Sequence, residues 1–329
     1  MAAPSPVTLA VLIVSIVAVA VLISFTAVLK PSPRSLRKKR LSMLVDLRIL
    51  RLCGGASVLL VLLTLLGLET GEYPIPRFQA ISTAFWDRAG EYSFVVNSLR
   101  FPRVVTALLA GFCLASSGAL FQTLLNNPLV SPDVIGINTG AALCAVFVLA
   151  IGADVGLLPW AAFAGAVVTA GTIYLLAWKK GITGNRLVLV GIGINALLAS
   201  GITYLMVKFP IEQVLAAARW QAGSLFGASW SDARTLIIAI ACLTPPAWIL
   251  VRRLRLIQLG DEMASSLGLR VERERTAIIL VASGYAAVAV AVIGPLGFVA
   301  LLVPHIVRLV AGPLTGGTLV LTGAVGALF

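Results

Sequence analysis

The stretch RRLRLIQLGDEMASSLGLRVERER, Arg252 to Arg275, sets six Arg and four Asp or Glu between two long apolar runs. Charged side chains and unpaired backbone are costly in hydrocarbon, so such an interruption in an apolar chain is a loop held on one face of a membrane. Within it, Leu259-Gly260-Asp261-Glu262 is followed by Ser266-Leu267-Gly268. A Gly bounds each end of a helix-length piece whose first turn is acidic, where the helix dipole favours negative charge. The pattern predicts a short docking helix on the membrane surface. The plainer alternative is a basic loop that only fixes topology.

Working outward, 59% of the 329 residues are hydrophobic and 12% charged, against about 25% charged in soluble domains. The chain is a polytopic membrane protein, and the useful unit is a span of ~20 residues. Spans are expected at 7–29, 51–68, 102–124, 134–152, 156–177, 187–207, 235–251 and 276–293, followed by a short piece 296–303 and a run from 314 to 329. If 30–51 is cytoplasmic, strict alternation puts eighteen of the 25 Lys and Arg inside, with the opening stretch, and seven outside. That is the positive-inside asymmetry. The net charge of +12 is therefore spread in short topology signals and does not form a nucleic-acid surface. Cys53, Cys113, Cys144 and Cys242 lie in or beside apolar runs without C-x-x-C spacing and read as buried hydrophobes. The run 7–29 has no preceding Lys or Arg and no small-residue cleavage site after it, so an uncleaved helix is expected there.

Three places break the helical pattern. Asn126-Asn127-Pro128 through Pro132 predicts a cytoplasmic turn. Residues 208–232 are too polar to span and predict a short outer helix. Gly294-Pro295 and Pro304 cut the apolar run so that 296–303 is too short to cross. On the outer side, Arg100 and Arg103 stand three residues apart, which suits an acidic docking surface as well as interfacial snorkelling. Ser116, Ser117, Gly118, Gln122, Asn195, Ser200 and Thr203 could line a path or serve helix packing. Gly136 with Gly140, and Gly223 with Gly227, have the small-x-x-x-small spacing. His305 is the sole histidine and reads as structural, and no metal site is expected. Gly191-Ile192-Gly193-Ile194-Asn195-Ala196 fits a dinucleotide fingerprint only formally, because no strand precedes it. The sequence has no phosphate-binding G-x-x-x-x-G-K-[ST] loop. No carboxylate lies inside a span, with Asp133 and Asp154 at span ends, so energy for pumping would come from a partner. An intramembrane enzyme would need two catalytic groups at one depth, which a lone His does not supply.

Leu99 to Leu143 (LRFPRVVTALLAGFCLASSGALFQTLLNNPLVSPDVIGINTGAAL), Trp220 to Trp230 (WQAGSLFGASW), Leu259 to Leu269 (LGDEMASSLGL) and Gly294 to Leu309 (GPLGFVALLVPHIVRL) resemble the signature blocks of the FecCD, or vitamin B12-type, permeases. These are membrane subunits of ABC importers for iron-siderophores, haem and cobalamin. The resemblance implies an all-α bundle of the type II importer plan, with ten helices, in the cell membrane and surrounded by lipid. It implies a second permease subunit, cytoplasmic ATPase subunits that use ATP and Mg, and an extracytoplasmic binding protein. The permease itself would be no enzyme and hold no cofactor. By position, Leu259, Gly260, Asp261, Glu262, Ala264, Ser265, Leu267 and Gly268 would couple to the ATPase. Arg100 and Arg103 would meet the binding protein, and Asn195, Ser200, Trp220, Ser224 and Gly227 would line the path or gate. A ferric siderophore or related chelate is the expected cargo, with haem, cobalamin or an inactive remnant as alternatives. Residues 1–50 would be an additional helix and basic linker before a permease domain at 51–329. The sequence stops at Phe329 inside what would be the family's ninth helix, so the last family helix would be missing and the permease domain incomplete at its C-terminus.

Overall fold

The computed structural model describes residues 33–38, 41–71, 73–76, 78–86, 90–178 and 184–329. The expected helix at 7–29 lies outside them. Part of the linker expected at 30–50 is an antiparallel hairpin, β1 (Pro33–Lys38) and β2 (Leu41–Asp46), with Pro33 opposite Asp46. Everything after it is helical. Asp46 opens α1 (Leu47–Glu69) by accepting from the Arg48 N–H at 2.9 Å, which satisfies one of the free donors at a helix start.

Outside the membrane α2 (Gln79–Phe85) follows, and α3 (Phe94–Leu124) then crosses, π-helical over its first seven residues. The Asn-Pro turn holds α4 (Pro132–Ile135), capped by Ser131, and α5 (Ile137–Ala150) and α6 (Leu158–Ala177) return through the bundle. Next come α7 (Gly184–Lys208), the outer α8 (Ile211–Gln221) and α9 (Trp230–Ile257). The cytoplasmic α10 (Asp261–Ser266) precedes α11 (Val271–Ile293), α12 (Val299–Ala311) and α13 (Gly316–Leu328). Six of these segments are long and apolar enough to span, and α5, α12 and α13 are shorter apolar helices.

The axis of the bundle is α3, packed against α9, α11, α12 and α13. Small residues make this possible: van der Waals contact drives helix association in lipid, and it needs close backbones. A Cβ on Gly111 would lie 2.1 Å from the Gly326 carbonyl oxygen, and one on Gly118 would lie 1.8 Å from that of Ala300. Ser117 Oγ donates to the Ala282 carbonyl at 2.6 Å, tying α3 to α11. A second crossing joins α5 and α6, where a Gly165 Cβ would stand 2.3 Å from the Gly140 oxygen.

Three expectations change. The charged stretch is not all loop: α9 continues to Ile257 and α11 starts at Val271. Arg255 thereby ends one helix while Glu272 and Glu274 begin the next, each on the end its charge favours. Pro304 does not cut the run, because α12 continues through it and only 294–298 is broken. Gly223 and Gly227 are not a helix-packing pair, since both lie in a loop with positive φ.

Candidate functional site

At the end of the bundle that the charge asymmetry assigns to the cytoplasm, α10 is a six-residue helix framed by Gly260 (φ 106°) and Gly268 (φ 84°). Only glycine enters such conformations without strain. Ala264 is fully buried and anchors the helix, and its carbonyl accepts from the Leu269 N–H at 3.1 Å. Asp261 takes both arms of the Arg275 guanidinium at 2.8 and 2.9 Å, while Arg253 pairs with Glu274. Asp261 thus ties the element to the start of α11, and the Arg253–Glu274 pair ties α9 to α11. Large apolar side chains are exposed around α10: Leu259 before Gly260, Met263 within the helix and Leu267 at its C-cap are 64%, 55% and 58% exposed. Glu262 and Ser265 are exposed beside them. Met263 was absent from the residues singled out in the sequence, although the four-residue spacing of Leu259, Met263 and Leu267 is visible there.

On the outer side the structure separates the two arginines. Arg100 is 8% exposed and donates to the carbonyls of Leu68 (2.9 Å), Glu69 (3.3 Å) and Tyr73 (2.6 Å). It holds the chain leaving α1 and is not presented to a partner. Arg103 is exposed, its guanidinium carbon 5.9 Å from the centre of the exposed Phe226 ring.

The outer loop after α8 is sewn to the break between α11 and α12. The Ser224 N–H donates to the Ile293 carbonyl at 2.8 Å. Gly223 (φ 71°) and Gly294 (φ 77°) face each other closely enough that a Cβ on Gly294 would meet the Trp220 oxygen at 2.6 Å. Trp220 and Ser224 therefore sit at one junction, whereas Gly227 (φ 77°) stands in open space. This junction of two breaks was not evident from either break alone.

The remaining candidates are on α7. Asn195 is a joint: its Oδ1 accepts from Thr139 Oγ1 at 2.6 Å, and its Nδ2 donates to the Asp133 carbonyl at 3.2 Å. Gly136 (φ 99°) allows this approach, because its Cβ would lie 3.0 Å from that of Asn195. Burial pushes the Asp133 carboxyl up to about 6, and the hydrogen bond from Asn138 acts in the opposite direction. Ser200 lies away from this joint, on an exposed stripe with Leu189, Gly193, Ala196, Thr203 and Val207, and bonds only its own helix at Ala196. Among the described residues no three His, Cys, Asp or Glu side chains stand together as a metal site.

Comparison with known proteins agrees with this architecture. The profile described as the FecCD transport family matches residues 59–329. The chain is 40% identical over 247 residues to the ferric enterobactin transport system permease protein of Escherichia coli, covering 75% of each. It is 38% identical over 274 residues to the Fe(3+)-citrate import system permease protein of Bacillus subtilis, covering 83% of this chain and 82% of that one. A solved structure described as an inward-facing metal-chelate type ABC transporter superposes with a TM-score of 0.76 at 25% identity, over 84% of this chain and 87% of that one. The chain is a multi-pass membrane permease and belongs to the FecCD transport family.

Proposed function

We propose that the chain is the permease of an ATP-driven importer for a ferric siderophore or related iron chelate. The observation that carries the reading is α10, a short helix between two glycines at the end of the bundle read as cytoplasmic, with Leu259, Met263 and Leu267 exposed along it and its flanks. Exposed apolar side chains in that position fit a groove on a soluble partner. With no phosphate-binding loop of its own, the chain is completed by an ATPase subunit that uses ATP and Mg. The names of the relatives, for enterobactin and for ferric citrate, support an iron chelate as cargo.

In this reading ATP closes the partner pair and displaces α10, and the bundle turns that movement into opposite gating of its two ends. A second permease subunit faces α7, whose stripe around Gly193, Ala196, Ser200 and Thr203 borders the path. Asn195 positions that helix on α4 and α5. The junction of Trp220, Gly223 and Ser224 with the 294–298 break forms the outer gate, and exposed Arg103 offers positive charge to an acidic surface of the binding protein.

The test is co-purification with an ABC ATPase subunit of the same organism, followed by uptake of radio-iron chelates in a deletion strain. Stable association and ATP-dependent uptake are expected. Gly260→Pro, or Asp261→Lys with Glu262→Lys, should lower uptake by on the order of tenfold or more, since Pro cannot adopt a positive φ. Wild-type uptake and association in both variants would refute the docking assignment. Uptake of haem or cobalamin without iron chelates would reassign the cargo.

A further inference from the structure

Gln122 is completely buried in the last turn of α3, and both ends of its amide are used. Nε2 donates to the Leu301 carbonyl at 2.9 Å, and Oε1 accepts from Arg308 Nη2 at 2.8 Å. The orientation is unambiguous, because a carbonyl only accepts and a guanidinium only donates. Leu301 and Arg308 are two turns apart on α12, so one side chain grips that helix at two levels.

The grip falls where α12 is weakened. Pro304 has no N–H for the Ala300 carbonyl, and Gly118, one turn before Gln122, leaves room for that carbonyl against α3. The neighbouring residue extends the connection: the Thr123 carbonyl accepts from Gln258 Nε2 at 3.5 Å. Gln258 follows α9 directly and lies two residues before Gly260. At its other end α12 begins at Val299, beside the break that is sewn to the outer loop through Ile293 and Ser224. Polar contacts, linked through the backbone from 122 to 123 and from 258 to 260, therefore connect the chain entering the docking helix with the end of α3 and with α12.

We propose that Gln122 is the positioning residue that couples α10 to the outer gate, by locking α12 to α3 through Arg308 and Leu301. A buried polar side chain is costly unless its ends are paired, and here both the carbonyl and the amide nitrogen of Gln122 have a partner. The proposal rests on the transport reading above. If the wild-type chain with its ATPase moves no chelate, that reading fails first; if wild type is coupled and the variants behave like it, only this inference fails.

The experiment uses the assembled transporter in proteoliposomes and measures chelate moved per ATP hydrolysed. Gln122→Met, which loses both bonds, should lower that ratio on the order of tenfold while hydrolysis continues. Gln122→Glu keeps an acceptor for Arg308 and should retain about half of the ratio or more. Arg308→Met should match Gln122→Met, and the double variant should add little to either. Gln258→Ala, at an exposed position, should give a smaller drop of about two- to threefold even if the buried variants fail to assemble. An unchanged ratio in Gln122→Met or in Gln258→Ala, or independent losses in the double variant, would overturn the proposal.

Discussion

Helices α3 and α7 are similarly apolar and both long enough to span, yet 67% of the apolar window in α3 is buried against 17% in α7. Hydropathy therefore says that both enter the membrane but not what each faces. In α3 the small residues are spent on close neighbours: Gly111 on Gly326, Gly118 on Ala300 and Ser117 on Ala282. In α7, Gly191 packs on Ile135, whereas Gly193 has nothing within 4 Å. The same residue types make a bundle axis in one helix and a free, partly polar face in the other. Ser200 and Thr203 each pair with their own helix, and the proposed path beside a second subunit would give their exposed face a use.

The largest contrast is expected from bulk. Gly118→Leu drives a side chain into the Ala300 backbone and should abolish accumulation of folded protein, a cost above the ~1–3 kcal/mol of ordinary overpacking. Gly193→Leu should accumulate at wild-type levels and yet impair uptake, and quantitative blots beside uptake assays read both. Equal accumulation of the two variants would erase the distinction between the helices.

The outer arginines repeat the contrast on a smaller scale. Arg100→Met leaves carbonyls of Leu68, Glu69 and Tyr73 without their donor and should cost about 2–3 kcal/mol in detergent melting. Arg103→Ala should leave the melting point unchanged and weaken only binding-protein association. Reversed outcomes would return Arg100 to the docking surface.

The smallest effect concerns the joint that seats α7. Asp133 titrates near 6 in the folded protein, above the ordinary carboxylate range. Between about pH 4 and 6 the folded state holds a proton that the unfolded state has lost, so stability falls as pH rises through that window, by up to ~3 kcal/mol. Asp133→Asn should flatten this slope in melting curves taken at pH 4.5 and pH 7. An unchanged slope would place the sensitivity elsewhere.

The spans, the charge asymmetry and the short Gly-bounded helix were legible because each is local: a run, a count, a spacing. Arg100 and Arg103 look alike in sequence, but three residues of helix turn the second about 60° from the first. The carbonyls that capture Arg100 belong to residues 27 to 32 positions away. For the same reason the Gly223 and Gly294 junction and the Gln122 clamp were not legible, since Arg308 is 186 residues from Gln122. Pro304 misled in the other direction. A proline normally ends a helix, but here α12 continues through it, and Gly118 leaves room for the Ala300 carbonyl that Pro304 deprives of a donor.

The most direct test of the account is the water accessibility of Ser200. With the four native cysteines replaced and Ser200→Cys introduced in the assembled transporter, a membrane-impermeant charged thiol reagent should label the new cysteine and block uptake. A Cys at Ser117, inside α3, should stay unlabelled. Labelling of the Ser200 position by a lipophilic reagent alone, with uptake unaffected by the charged one, would show that the free face of α7 meets lipid and would contradict the proposed path.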